Sequence, residues 1–225
     1  MKKLIFVLGF CVLSLFLSFN FVSAVDWLFY DNFTDRTLSK WNQTKPFGWY
    51  SEKVYAVYPN HTESLGYAGV MRARKNTGPN KTPVNSLKIT KFGGKYGLVG
   101  GCSYYVNNRL TFKYRYGLFS EGDYFRVIMN YSLFGLNSSG IPYYTAQHSK
   151  VIFTTEGKTG NSGRLFKEVD ILLPFENRFG DYYNHLNRNN NLILEFQCKV
   201  GTKKGSCQID DVKLVGAELD RDCDF

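Results

Sequence analysis

Across residues 109–116 the side chains alternate without a break. Leu110, Phe112, Tyr114 and Tyr116 fall on one side and Thr111, Lys113 and Arg115 on the other. Successive side chains of a strand point to opposite faces, so this run describes a strand with one buried and one solvated face. Ser120-Glu121-Gly122-Asp123 reads as a turn, and a returning strand follows at 124–131. There Phe125, Val127, Met129 and Tyr131 oppose Tyr124, Arg126, Ile128 and Asn130. Neither side is fully polar, which places that strand centrally. Further strands are expected at 28–33, 53–58, 67–73, 86–91, 96–99, 149–154 and 165–173, separated by Gly, Pro and Asn clusters. The segments 135–144 and 175–190 read as irregular connections. No segment sustains a helical apolar period over about a dozen residues. The chain is therefore expected to be all-β, a two-sheet antiparallel β-sandwich or jelly roll.

The last strand pair, within 191–216, is the most specific. Setting Cys198 opposite Cys207 in an antiparallel hairpin brings Phe196 against Ile209. The same register sets Leu194 against Asp211. One extra residue at Asp210 or Asp211 restores Leu194 to Val212 and Leu192 to Leu214, so a bulge is expected there.

The first residues, Met1-Lys2-Lys3, an apolar run to about Phe19 and then Val22-Ser23-Ala24, read as a secretory signal peptide over 1–24. Uncleaved, the run is near the length that anchors a chain in a bilayer, and membrane attachment is expected by that route alone. Residues 25–225 then form one secreted, extracellular domain, long enough for its own core. Loss of Lys2 and Lys3 lowers the formal charge from +9 to about +7, dispersed along the chain, so no nucleic-acid partner is expected.

Export leaves Cys102, Cys198, Cys207 and Cys223, an even set that argues for disulfides, with three pairings open to sequence alone. The short loop favours Cys198 with Cys207, which leaves Cys102 with Cys223. Zinc is disfavoured, because no CxxC occurs and His61, His148 and His185 stand far apart. Sequons at Asn32, Asn42, Asn60, Asn80, Asn130 and Asn137 suit a decorated surface protein.

Four stretches carry a family resemblance: Asp31-Asn32-Phe33 with Trp41 downstream, Gly66-Tyr67-Ala68, the run 110–116 before Gly122-Asp123, and Ile209-Asp210-Asp211-Val212. Together they resemble galactose-binding-like jelly-roll modules, which include many carbohydrate-binding modules and MAM-type domains. Cys223 after the last strand is also MAM-like, and the resemblance implies a bond to Cys102. The opening Phe33-Thr34-Asp35-Arg36-Thr37-Leu38-Ser39-Lys40-Trp41 is similar as well to concanavalin A-like sandwiches. The first resemblance implies a structural calcium between the first and last strands, held by Asp31 or Asp35 and by Asp210 or Asp211. The competing reading gives these aspartates turn and backbone hydrogen bonds. No cofactor is otherwise required.

Glu168-Val169-Asp170 carries only the first half of the Glu-x-Asp-x-(x)-Glu motif of laminarinase-like glucanases. Leu172 and Leu173 stand where the second carboxylate belongs, so no catalytic residue is assigned. For sugar, the aromatic pairs Trp49-Tyr50, Tyr143-Tyr144 and Tyr182-Tyr183 are candidates, since alternation exposes one ring of each. The expected function is a secreted, non-catalytic binding module for carbohydrate or a cell-surface glycan. The alternatives are a structural or adhesive surface glycoprotein, partnered by a cell-surface protein, and last a jelly-roll glycosidase.

Overall fold

A computed structural model describes residues 25–43, 48–72, 84–90, 104–131, 134–136, 138–139, 142–144, 148–173, 193–201 and 205–219. The ordered elements are strands β1 Val25–Asp31, β2 Asn42–Gln43, β3 Trp49–Val57, β4 Thr62–Arg72, β5 Val84–Ile89, β6 Tyr104–Gly117 and β7 Tyr124–Tyr131. They continue as β8 Phe134–Leu136, β9 Pro142–Tyr144, β10 His148–Thr154, β11 Lys167–Leu172, β12 Ile193–Lys199 and β13 Ser206–Leu219. One sheet, A, runs β11-β6-β13-β4-β3, with β1 also on β13; the other, B, runs β10-β7-β12-β5-β2. All these pairings are antiparallel, and the chain passes repeatedly from one sheet to the other, as in a jelly roll.

The alternation in β6 is realised as expected: Leu110, Phe112 and Tyr116 are buried, while Thr111, Lys113 and Arg115 keep partial exposure. Facing them from sheet B are Phe125, Val127 and Met129 of β7, and Leu194 and Phe196 of β12, all buried. Phe112 meets Phe125, Phe153 and Phe196 with ring centroids 6.1, 5.4 and 5.4 Å away. Three such rings bury several hundred Å² of apolar surface, worth several kcal/mol at about 25 cal/mol per Å². A second aromatic group closes one end of the core, where Trp41 lies edge-on to Phe29 at 5.0 Å and to Phe196 at 5.5 Å. Gly69 allows this, since a Cβ there would lie 2.9 Å from the Phe33 ring.

β13 is the strand to which most of sheet A is tied. Its first part, Ser206 to Ile209, pairs with β4, its later part pairs with β1 from Asp31↔Val212 to Val25↔Ala217, and β6 runs along its other side. The bulge expected at Asp210–Asp211 is present: the register against β6 shifts between Asp210 and Lys213, and Asp211 has φ +48°. It lets Ile209, Val212 and Leu214 all face the core.

The hairpin drawn around Cys198 and Cys207 is not formed. The disulfide exists, with Cα atoms 6.2 Å apart, but it joins β12 of sheet B to β13 of sheet A across the core. Phe196 therefore pairs with Leu87 and Val127, and Leu194 with Ile89 and Met129. Ile209 pairs with Tyr114 and Gly69. The apolar ladder of Phe196/Ile209 and Leu194/Val212 is replaced by two strands presenting those residues to one core; Leu192 lies outside the described residues. Alternation says which side chains face inward, and it is the same for a neighbour in the plane and a neighbour in the opposite sheet. The link between β6 and β7 is likewise a crossing between sheets. Its turn is real, with Asp123 N–H donating to the Ser120 carbonyl at 3.0 Å and Gly122 at φ +78°.

β7 has neighbours on both sides, as expected of a central strand. β2 is an additional strand, and β8 and β9 occupy the segment read as a loop. The strand expected at 96–99, together with Cys102 and Cys223, lies outside the described residues.

Candidate functional site

The outer face of sheet B is built by the residues that alternate with the core. In β12, Leu194, Phe196 and Cys198 point inward, so Glu195, Gln197 and Lys199 take the other face. Register sets Glu195 between Lys88 and Ile128, Gln197 between Ser86 and Arg126, and Lys199 beside Tyr124. These are contacts across strands, and they produce one connected network.

Its centre is Glu195, 8% exposed. Its Oε1 accepts from Ser86 Oγ at 2.5 Å and from Gln197 Nε2 at 2.8 Å, and its Oε2 lies 3.5 Å from Lys88 Nζ. Burial opposes ionisation of this carboxyl, but the hydrogen bonds from Gln197 and Ser86 and the charge of Lys88 outweigh it. Glu195 is held below its ordinary value and stays ionised. Gln197 turns its Oε1 to Arg126 Nε at 2.8 Å, and the guanidinium lies 4.5 Å from the Tyr124 ring centroid. Lys199 Nζ approaches the same ring at 5.7 Å. Toward β2 the row ends in Asn42, whose Nδ2 donates to Thr90 Oγ1 at 2.6 Å. Among the described residues Arg126 donates through Nε, to Gln197. The arrangement is a pre-ordered row of carboxylate, amide, ammonium and guanidinium beside an aromatic ring. It suits a ligand dense in hydroxyl groups.

Of the aromatic candidates from sequence, Trp49 and Tyr50 belong to β3 of sheet A. Trp49 is buried, its Nε1 donating to the Asn85 carbonyl at 3.3 Å, and Tyr50 is 39% exposed on the outer face of sheet A. That pair shows the expected split of one ring in and one out. Tyr143 and Tyr144 belong to β9, opposite Gly135 and Phe134, and Tyr182 and Tyr183 lie outside the described residues.

Asp31 Oδ1 accepts from Phe33 N–H at 2.9 Å and its Oδ2 from Trp41 Nε1 at 2.6 Å. Asp35 is exposed and accepts from Thr37 N–H. Asp210 accepts from Asp211 N–H at 2.7 Å, and burial, its largest influence, pushes the carboxyl up to about 6. Asp211 is flanked by Lys213 Nζ at 3.0 Å and Lys113 Nζ at 3.3 Å. Among the described residues no three His, Cys, Asp or Glu side chains group as metal ligands. The donor set does not fit calcium: two ammonium groups stand at Asp211, and the Asp31 oxygens are taken by protein donors.

Glu168 and Asp170 do share one face of β11. They are spread in a ladder, Glu168 to Lys113 at 3.8 Å and Asp170 to Arg109 at 2.5 Å, both open to solvent. Of the sequons, Asn32 is tied into its turn by Thr34 N–H and Oγ1, Asn42 and Asn130 lie in strands, and Asn60 is exposed on the β3–β4 turn. Asn80 and Asn137 lie outside the described residues.

Sequence reasoning passed over Glu195, Gln197, Lys88 and Arg126. An acid set between Leu194 and Phe196 was the available signal, but beyond Gln197 its partners Ser86 and Lys88 come from β5, and Arg126, which meets Gln197, from β7, all set by register.

No protein-family model matches the chain, and no curated protein matches it. Solved structures do. The K2 cleaved adhesin domain of Lys-gingipain is similar at 12% identity and TM-score 0.44, over 85% of this chain and 97% of that one. The K3 adhesin domain of Lys-gingipain from Porphyromonas gingivalis W83 is similar at 13% identity and TM-score 0.40, over 84% and 98%. The CBM22-1–GH10 modules of Clostridium thermocellum xylanase 10B, complexed with xylohexaose, are similar at 13% identity and TM-score 0.38. That likeness covers 85% of this chain and 28% of that one. At these scores none of the three assigns a ligand to this chain.

Proposed function

We propose that the chain is an exported, non-catalytic carbohydrate-binding module that holds glycan on the outer face of sheet B. One observation carries the reading: the Arg126–Gln197–Glu195–Lys88 row is fixed by hydrogen bonds and an ion pair before any ligand arrives. Groups already ordered lose little side-chain entropy on binding, and a buried ionised Glu195 keeps Gln197 in one orientation. Arg126, held over the buried Tyr124 ring, supplies planar donors in a fixed orientation. Glycan-array screening of the full chain, followed by titration calorimetry of Arg126→Ala and Gln197→Ala, tests it. Binding weakened by about tenfold or more per substitution, corresponding to the loss of one charge-assisted hydrogen bond, is the expected result. An array without signal, or binding untouched by both substitutions, overturns the proposal. The second reading, a surface glycoprotein that takes no small ligand, is supported by the number of sequons. It predicts sugar on the protein and none bound by it.

A further inference from the structure

We infer that Asn60 carries an N-linked glycan whose first sugar lies against the stacked rings of Tyr58 and His61. The inference rests on export of the chain and not on the binding face of sheet B.

The β3–β4 hairpin ends in a tight turn. Val57 pairs with Thr62, Tyr58 N–H donates to the His61 carbonyl at 2.9 Å, and only Pro59 and Asn60 remain in the loop. The Tyr58 and His61 rings close the turn as a stack, 4.5 Å between centroids and 8° from parallel. Arg164 braces it with its guanidinium 5.1 Å from the Tyr58 centroid. A rigid aromatic pair thus flanks an exposed acceptor asparagine, with Thr62, the third residue of Asn60-His61-Thr62, also exposed. Pyranose rings present a C–H face that packs on aromatic surface, and here the outer face of the His61 ring and the edge of Tyr58 offer it, the Tyr58 ring faces being taken by His61 and the Arg164 guanidinium.

The other described sequons lack this setting. Asn32 accepts from Thr34 Oγ1 at 2.8 Å, Asn42 donates to Thr90, and Asn130 is half-buried between Ser149 and Ile193 in adjoining strands. At Asn60 the Nδ2–C1 bond forms as the sugar leaves a lipid-linked diphosphate carrier, and the amide gives up one proton.

The test is production of the full chain by a secreting, glycosylating cell, with peptide mass spectrometry and thermal melting. Asn60 is expected to be occupied in most molecules. Trimming to a single N-acetylglucosamine should leave the melting temperature in place, whereas Asn60→Gln should lower it by about 2 to 4 °C. Tyr58→Ala should keep occupancy yet abolish the difference between glycosylated and sugar-free protein. An unmodified Asn60, or identical melting with and without the sugar, overturns the inference. Glycan binding by Asn60→Gln reports separately on the sheet B face, since none of the Arg126 network is altered.

Discussion

Replacing Asp210 by Asn should make the protein more stable at neutral pH and leave it unchanged in acid. The carboxyl is pushed from 3.8 to about 6, first by burial and then by the charge of Asp211, against the opposing pull of the Asp211 N–H and Lys113. The folded state therefore binds this proton more tightly than the unfolded chain. No cost is present below about pH 3.8; it grows as pH rises and is complete above about 6. At about 1.4 kcal/mol per factor of ten the ceiling is about 3 kcal/mol, and because the side chain is only partly enclosed, solvent screening leaves about 1 to 2 kcal/mol. Asn keeps the shape and an oxygen for Asp211 N–H. Urea unfolding at pH 7 should show the variant's midpoint raised by roughly 0.5 to 1 M, taking a slope near 2 kcal/mol/M. At pH 4 the two midpoints should nearly coincide. A variant less stable than the parent at pH 7 would refute the reasoning, and calcium held by Asp210 would produce that outcome.

Melting in the presence of a chelator should match melting in added calcium, and a rise with calcium would restore Asp31 and Asp210 as ligands. Cys198→Ala with Cys207→Ala should cost about 3 kcal/mol from the released loop, whose ends lie 9 residues apart, seen as a lowered denaturation midpoint. Gly69→Ala should destabilise by about 1 to 3 kcal/mol, because the added methyl would lie 2.9 Å from the Phe33 ring. Altered near-ultraviolet circular dichroism would report the displaced aromatic group, and an unchanged spectrum and midpoint would show that the ring can yield.

The bulge at Asp210–Asp211 was legible because Ile209, Val212 and Leu214 cannot all face one side of an unbroken strand. That constraint lies within β13 and holds for any partner, so the right bulge followed from a pairing with β12 that the structure does not contain. The partner itself was not legible. A chain of this length between β12 and β13, or between β6 and β7, can close a hairpin or cross to the opposite sheet, and inward-facing residues look alike in both. The candidate site was hidden for the same reason. Glu195 could be read as outward with Gln197 beside it, but Ser86, Lys88 and Arg126 join them only once the order β7-β12-β5 is known. Of the aromatic pairs, visible as dipeptides, Trp49 is spent on the core and Tyr50 is exposed, as alternation requires.

β13 is also the strand that β1, β4 and β6 all require. Asp31 finds its partner in Val212 and Gly69 in Ile209, so these pairings close loops of well over a hundred residues. Such topology makes folding slow, because the loop entropy is spent before the contacts repay it. On a growing chain the hydrogen-bonding edges of β1, β4 and β6 emerge long before β13 can cap them. Until it arrives they are open to strands of other chains. Yield in a rapid expression host should accordingly depend on keeping nascent chains apart, and slower synthesis or a holding chaperone should raise the soluble fraction without changing the stability of the finished protein.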